Sequence, residues 1–170
     1  MATTEPSKTY LKTLLQYYEE EIEGAAYFDT LAERLNEPDQ RKKMVLMADV
    51  ERYASAAVEP LLEKYDLKPQ AKEQLFKSGN NQATASSLNW TAILEGMIKT
   101  FPGYIEMFKD LEAMAPAEDR PMLEVLTAHE VAALEFLHLE SQLDPSSTLP
   151  MMHYLKTGTA ETPGDAKEQT

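Results

Sequence analysis

Four long segments of this chain repeat apolar residues at the spacing of an α-helix, and this repetition constrains the fold more than any other feature of the sequence. The alternating runs of valine, isoleucine and threonine that indicate β-strands are missing. The sequence therefore predicts an all-α protein. The predicted helices span residues 10–36, 39–66, 88–114 and 120–143.

The segments between the predicted helices indicate how they are connected. Pro38 and Pro116 end the first and third helices and are followed closely by the next helix, so each pair of neighbours forms a hairpin. Residues 67–87 lose the helical period and end in a stretch rich in serine and asparagine, which predicts a long crossover with a short helix at residues 70–76. Two hairpins joined by one crossover predict an antiparallel four-helix bundle over residues 10–144.

The two ends of the chain contain too few apolar residues to predict a packed structure. We expect residues 1–9 to form a flexible N-terminus and residues 145–170 to form a largely disordered tail. The sequence leaves open whether Met151, Met152 and Tyr154 dock on the bundle.

Charge and composition narrow the classes of partner. The formal net charge is -13, with 29 acidic and 16 basic residues, which disfavours nucleic acid and anionic membranes and favours cations as ligands. The sequence has no cysteine, so disulfides, thiolate metal sites and cysteine catalysis are excluded. No apolar run reaches the roughly 18 residues of a membrane span, and the N-terminal stretch lacks the apolar core of a secretory signal. We expect a cytoplasmic protein.

Two carboxylates of the first hairpin fall on the apolar faces of their helices. Glu51 lies near the centre of the face that includes Ala48, and Glu21 lies at the edge of the face of the first helix. In an antiparallel hairpin these two positions lie at similar heights along the helix axes, so the two carboxylates can face each other. Because an unpaired buried charge is costly, the alternatives for Glu51 are a metal ion, protonation, or an ion pair with Arg52 or with a lysine of another helix.

The second hairpin repeats this arrangement. Glu95 and Glu130 flank the apolar faces of their helices at similar heights, and His129 lies on the apolar side next to Glu130. Each residue alone is compatible with a boundary position or a hydrogen-bonded core histidine, but four carboxylates at one level repel one another unless a cation lies between them. Glu135 and His138 form an E-x-x-H pair that points away from the core, so we expect both at the surface.

Three segments resemble the ligand-bearing helices of the ferritin-like, specifically the rubrerythrin-like, superfamily. They are EIEGAAYFDTLAE from Glu21, MADVERYAS around Glu51 and LTAHEVAA around Glu130. The resemblance implies a dinuclear iron or manganese site to which four helices supply Glu, Glu-x-x-His, Glu and Glu-x-x-His. On this pattern Glu21, Glu51, Glu95 and Glu130 are the carboxylate ligands, and no organic cofactor is expected.

Both histidines of that pattern are missing, because Ala54 and Ala133 stand at their positions. A carboxylate cluster with His129 as a possible further ligand favours harder ions such as Mn²⁺ or Mg²⁺. The resemblance therefore implies either a dimetal oxidoreductase or metal-handling protein, acting as an oxidase, hydroxylase or ferroxidase, or a metal-free bundle that serves as a binding or assembly module. Bundles of this superfamily commonly pair, so we expect a homodimer. A third alternative is a pocket for an apolar ligand, lined by Met44, Met47, Met97 and Met122.

Overall fold

A computed structural model of the protein describes residues 5–160, which form six α-helices and no β-strand. The prediction of an all-α protein is confirmed, and the four predicted long helices correspond to α1, α2, α4 and α5. The six helices are α1 (Lys8–Arg34), α2 (Pro38–Lys64), α3 (Lys72–Ala85), α4 (Trp90–Met114), α5 (Arg120–Ser141) and α6 (Leu149–Thr157).

The long helices begin where the sequence supplies suitable first residues. The side chains of Ser7 and Asn89 each accept a backbone N–H of the first turn, at 3.1 Å in α1 and 2.9 Å in α4. Pro38 and Pro121 lie in the first turns of α2 and α5, where a proline costs no helical hydrogen bond. The helix bounds therefore follow from local chemistry.

The packing partners of the helices define two hairpins. α1 packs along α2, α4 packs along α5, and α2 and α5 join the hairpins to each other. The short connections within each hairpin make its two helices antiparallel. α6 lies on α5 and α2, whereas α1 and α4 touch only slightly. Within residues 5–160, no helix combines the length and the apolar character needed to cross a membrane.

The crossover contains a longer helix than the sequence predicts. The predicted helix covers residues 70–76, but α3 runs from Lys72 to Ala85 and packs on α1. Leu75, Gly79 and Ala83 form a narrow buried line at helical spacing. A Cβ at position 79 would lie 2.2 Å from the backbone oxygen of Glu23, so only glycine permits this close approach. The helix therefore continues through the serine- and asparagine-rich segment, because the small residues Gly79 and Ala83 on its buried side let it pack closely on α1.

The prediction of a disordered tail is wrong for residues 145–160. α6 forms there, and Met151 and Tyr154 are fully buried while Met152 stays largely exposed. The Tyr154 hydroxyl donates to the backbone oxygen of Val125 at 3.0 Å, and Gly158 ends the helix with a φ of +69°. Buried side chains, together with the hydrogen bond from Ser147 to Glu140 at 2.6 Å, thus dock a segment whose overall composition is polar. Residues 161–170 lie outside the described part of the chain.

The predicted flexible N-terminus also ends earlier than expected. α1 begins at Lys8, so residues 8 and 9 are helical and the prediction is wrong for them. The cause is Ser7, whose side chain accepts a backbone N–H and fixes the first turn of the helix at this point. Residues 1–4 lie outside the described part of the chain.

Candidate metal centre

The imidazole of His129 lies inside a group of three carboxylates that come from three helices. Its Nε2 atom is 2.9 Å from Oε2 of Glu21, 3.1 Å from Oε2 of Glu130 and 3.5 Å from Oε2 of Glu51. All four residues are buried, and His129 is fully so. We call Glu21, Glu51, His129 and Glu130 the Glu–His cluster. It joins α1, α2 and α5 near the middle of each helix.

A glycine of α1 makes room for the carboxylate of α2. Gly24 lies one turn after Glu21, and a Cβ at this position would be 3.1 Å from both Cδ and Oε2 of Glu51. Such a distance is too short for an ordinary van der Waals contact, so a larger residue would push the Glu51 carboxylate away. The sequence signal for this feature is a glycine three positions after the predicted ligand Glu21, but its meaning depends on the helix pairing.

The orientation of the imidazole is fixed by the backbone of its own helix. Nδ1 of His129 donates a hydrogen bond to the carbonyl oxygen of Leu126. A carbonyl oxygen can only accept, so Nδ1 carries a proton. In the neutral ring, Nε2 then presents its lone pair to the three carboxylates, which is the orientation of a metal-ligating histidine. The rings of Phe108 and Tyr154 pack near the imidazole at centroid distances of 5.5 and 6.4 Å.

The Glu–His cluster lacks the partners that buried polar atoms normally have. Oε2 of Glu21 and Nε2 of His129 have no hydrogen-bond partner among residues 5–160, because their close approach does not have the direction of a hydrogen bond. The alternative that Arg52 pairs with Glu51 is not realised, since Arg52 contacts Asp29 and Asp49 at 2.6 Å each. No lysine or arginine of the described residues forms an ion pair with the cluster.

The electrostatics of the Glu–His cluster favour retention of protons. Burial and the neighbouring Glu21 raise the pKa of Glu51 well above its ordinary value. Burial also raises the pKa of Glu130. Burial lowers the pKa of His129, but the carboxylates, Glu21 first among them, outweigh this and hold it well above its ordinary value. A cation among these side chains would take the place of the protons.

The predicted ligands do not all meet. Glu21, Glu51, Glu130 and His129 come together, whereas Glu95 is exposed on α4 and does not reach the cluster. The reason is that α4 turns apolar side chains such as Leu94, Met97 and Phe101 toward the interior, and Glu95 lies beside this face rather than on it.

The other residues singled out by the sequence also have definite places. Ala54 and Ala133 are buried, so the two positions that lack the histidines of the pattern do face the interior. His138 is exposed, as predicted, whereas Glu135 is half-buried. Of the four methionines named for an apolar pocket, Met44, Met47 and Met97 are buried in one hydrophobic cluster, and Met122 is exposed. Met97 also lines a cleft between α1 and α4.

The donor atoms of the cluster suit a single divalent transition-metal ion. One ligand atom each from Glu21, Glu51 and His129 lie within 4.8 Å of one another, and Glu130 adds a third carboxylate next to them. Carboxylate oxygens together with one imidazole nitrogen are a donor set for manganese and iron. The two unpartnered buried atoms, Glu21 Oε2 and His129 Nε2, are donors that such an ion would satisfy.

Comparison with family models, with curated proteins and with solved structures finds no match to this chain.

Proposed function

We propose that this chain is a metal-binding protein with a ferritin-like antiparallel four-helix bundle, in which Glu21, Glu51, Glu130 and His129 hold iron or manganese. The observation that carries the proposal is the convergence of three buried carboxylates on His129 Nε2, in which Glu21 Oε2 and His129 Nε2 make no directed hydrogen bond among the described residues. Native structures rarely leave such atoms unsatisfied, so each one needs an explanation such as an ion.

The imidazole and the carboxylates would contribute to ion binding in different ways. His129 offers Nε2 with its tautomer set by the bond to Leu126, and the carboxylates supply negative charge that a divalent ion neutralises. A bound iron or manganese ion would supply redox chemistry for an oxidoreductase or metal-handling function. The donor set is smaller than the six side chains that the resemblance implies, so we propose one firmly held ion rather than two.

The proposal is tested by the metal content of the purified protein. Protein treated with chelator is loaded with Fe²⁺ without oxygen or with Mn²⁺, passed through a desalting column and analysed for metal. Wild type is expected to retain about one equivalent, and Glu51→Ala and His129→Ala to retain little. Glu95→Ala is the matched control, because it removes an exposed glutamate outside the cluster and should leave retention unchanged.

Thermal melts give an independent measurement of the same binding. Metal at 100 times its dissociation constant should stabilise wild type by about 2.7 kcal/mol and should leave Glu51→Ala unaffected. A wild-type melting temperature that neither Fe²⁺ nor Mn²⁺ changes would contradict the proposal. It would favour the metal-free bundle acting as a binding or assembly module, which the alanines at positions 54 and 133 also favour.

A further inference from the structure

A cleft opens between α1 and α4 and leads to the Glu–His cluster. α4 packs on α5 and touches α1 only slightly, which leaves a cavity of about 530 Å³ between them. This volume lies within the range of roughly 300 to 1,000 Å³ that small-molecule sites have. Glu21, Glu51 and Glu130 form its floor. The cleft is thus large enough for an organic molecule and ends at buried carboxylates.

The walls of the cleft are apolar and largely aromatic. Aromatic rings attract cations through the negative charge of their faces, and methionine adapts to ligands of different shape. Tyr104 and Met107 are partly exposed at the surface, so the walls continue outward from the floor. The apolar wall residues are Tyr27, Phe28, Met97, Phe101, Tyr104, Met107 and Phe108, and Gln82 and Thr100 add two neutral polar side chains.

The charge of the cleft has one sign. Five glutamates line it, Glu20 and Glu23 in addition to the three on the floor, and among residues 5–160 no lysine or arginine lines it. Oε2 of Glu21 is buried at the floor beside His129 and has no hydrogen-bond partner among the described residues. His129 lies behind the floor, and protons or one divalent ion would reduce the negative charge of the floor, but Glu20 and Glu23 lie outside the Glu–His cluster and keep the cleft acidic. A ligand with a carboxylate or phosphate would therefore be repelled.

We propose that this cleft binds an organic cation, an amine whose ammonium group faces the carboxylates and whose apolar body lies between the aromatic walls of α1 and α4. Charge complementarity selects the head group, and the apolar walls select the body. The inference goes beyond the proposed metal site, because Glu20, Glu23 and the aromatic walls lie outside the Glu–His cluster.

A matched series of three ligands with one apolar body tests the charge selection. Phenylbutylamine, phenylbutanol and phenylpentanoate carry a positive, a neutral and a negative head group on the same body. Binding is measured by calorimetry in chelator, so a chain that holds no metal still gives a readable result. The amine is expected to bind about tenfold more tightly than the alcohol, and the carboxylate not at all. Equal binding of amine and alcohol would overturn the proposal.

Three variants locate the binding site. Glu20→Gln removes an exposed carboxylate of the cleft and Tyr104→Leu removes a half-exposed aromatic wall, and each should weaken amine binding about threefold. Glu124→Gln is the matched control, since this exposed glutamate of α5 does not line the cleft. If all three variants bind the amine like wild type, the amine binds elsewhere on this acidic chain and the proposal fails.

Discussion

Two of the places where the described residues bury carboxylates differ in how those carboxylates are satisfied. Asp119, at the start of α5, is almost fully buried, and its Oδ2 atom accepts hydrogen bonds from Tyr10 at 2.8 Å and Tyr65 at 2.6 Å. Its other oxygen pairs with Nζ of Lys64 at 2.7 Å. In the Glu–His cluster, three carboxylates share one imidazole and two buried atoms have no hydrogen-bond partner among the described residues.

The pKa values move in opposite directions at the two places. Burial raises the pKa of Asp119, but the hydrogen bonds from Lys64, Tyr65 and Tyr10 outweigh it and lower the pKa below its ordinary value. The pKa values of Glu51 and Glu130 are raised. A buried carboxylate alone is therefore no sign of a functional site. What distinguishes the Glu–His cluster is that its set of partners is incomplete.

The largest expected effect is the loss of stability on removing Asp119. Asp119→Ala should lower the free energy of unfolding by about 3 kcal/mol, because the hydroxyls of Tyr10 and Tyr65 lose their acceptor in a buried place. Urea denaturation measures this change. Glu118→Ala is the control, since it also removes a partner of Lys64 but lies at the surface, and it should cost at most about 0.5 kcal/mol. Equal costs for both variants would mean that Asp119 is no structural anchor.

The fold was predictable from the sequence where a helix is amphipathic over many turns. α1, α2, α4 and α5 each repeat apolar residues over more than 20 positions, and the bounds predicted for them differ from those observed by about two residues. The same signal places Glu51 at the centre of its apolar face, and it is buried, whereas Glu21 lies at the edge of its face and the sequence alone leaves its direction open. Long periodicity averages over local exceptions, so both the helices and the side chains at the centre of a face can be inferred from it.

The remaining features depend on contacts between distant segments. α3 is helical because Gly79 fits against the backbone of α1, and α6 docks through Tyr154, and neither contact has a periodic signal in a short segment. Glu95 is an error of the opposite kind, because the sequence predicts it as an inward ligand and the structure places it at the surface. It borders an apolar face, and a rotation of a few tens of degrees decides whether a border residue points inward. The sequence alone does not fix that rotation.

The stability contributed by the Glu–His cluster and that contributed by Asp119 should depend on pH with opposite signs. A carboxyl with a raised pKa keeps its proton in the folded state above pH 4.5, the ordinary value for Glu51 and Glu130. His129 likewise keeps its proton above its ordinary value of 6.5. The folded state then holds more protons than the unfolded state, so stability falls as pH rises through neutrality, by about 1.4 kcal/mol per pH unit for each extra proton.

Thermal melts of the metal-free protein between pH 5 and pH 8.5 test this dependence. For Asp119 the pH dependence of stability has the opposite sign, because its pKa is lowered in the folded state. The stabilisation is present above pH 3.8, the ordinary pKa, and is lost as the pH falls through the pKa of the folded state. Added Mn²⁺ should remove the decline at neutral pH, since a metal ion displaces the protons. A metal-free melting temperature that rises from pH 6 to pH 8 would contradict the raised pKa values.

The smallest expected effect is the most informative about the Glu–His cluster. In chelator, Glu51→Ala should leave the free energy of unfolding nearly unchanged or raise it by about 1 kcal/mol. The reason is that the variant removes a carboxyl group whose charged form is disfavoured by burial and by repulsion from Glu21. The alanine also leaves a small cavity, which offsets part of this gain. Glu51→Gln keeps the volume and removes the charge, so it separates the two contributions. If Glu51 instead belonged to a structural ion pair with His129, Glu51→Ala would remove one partner of the imidazolium and cost about 1.5 to 3 kcal/mol, although Glu21 and Glu130 would remain beside it. Such a loss would make the Glu–His cluster a structural anchor like Asp119. The metal proposal depends on the two sites being different, so it would then lose its support.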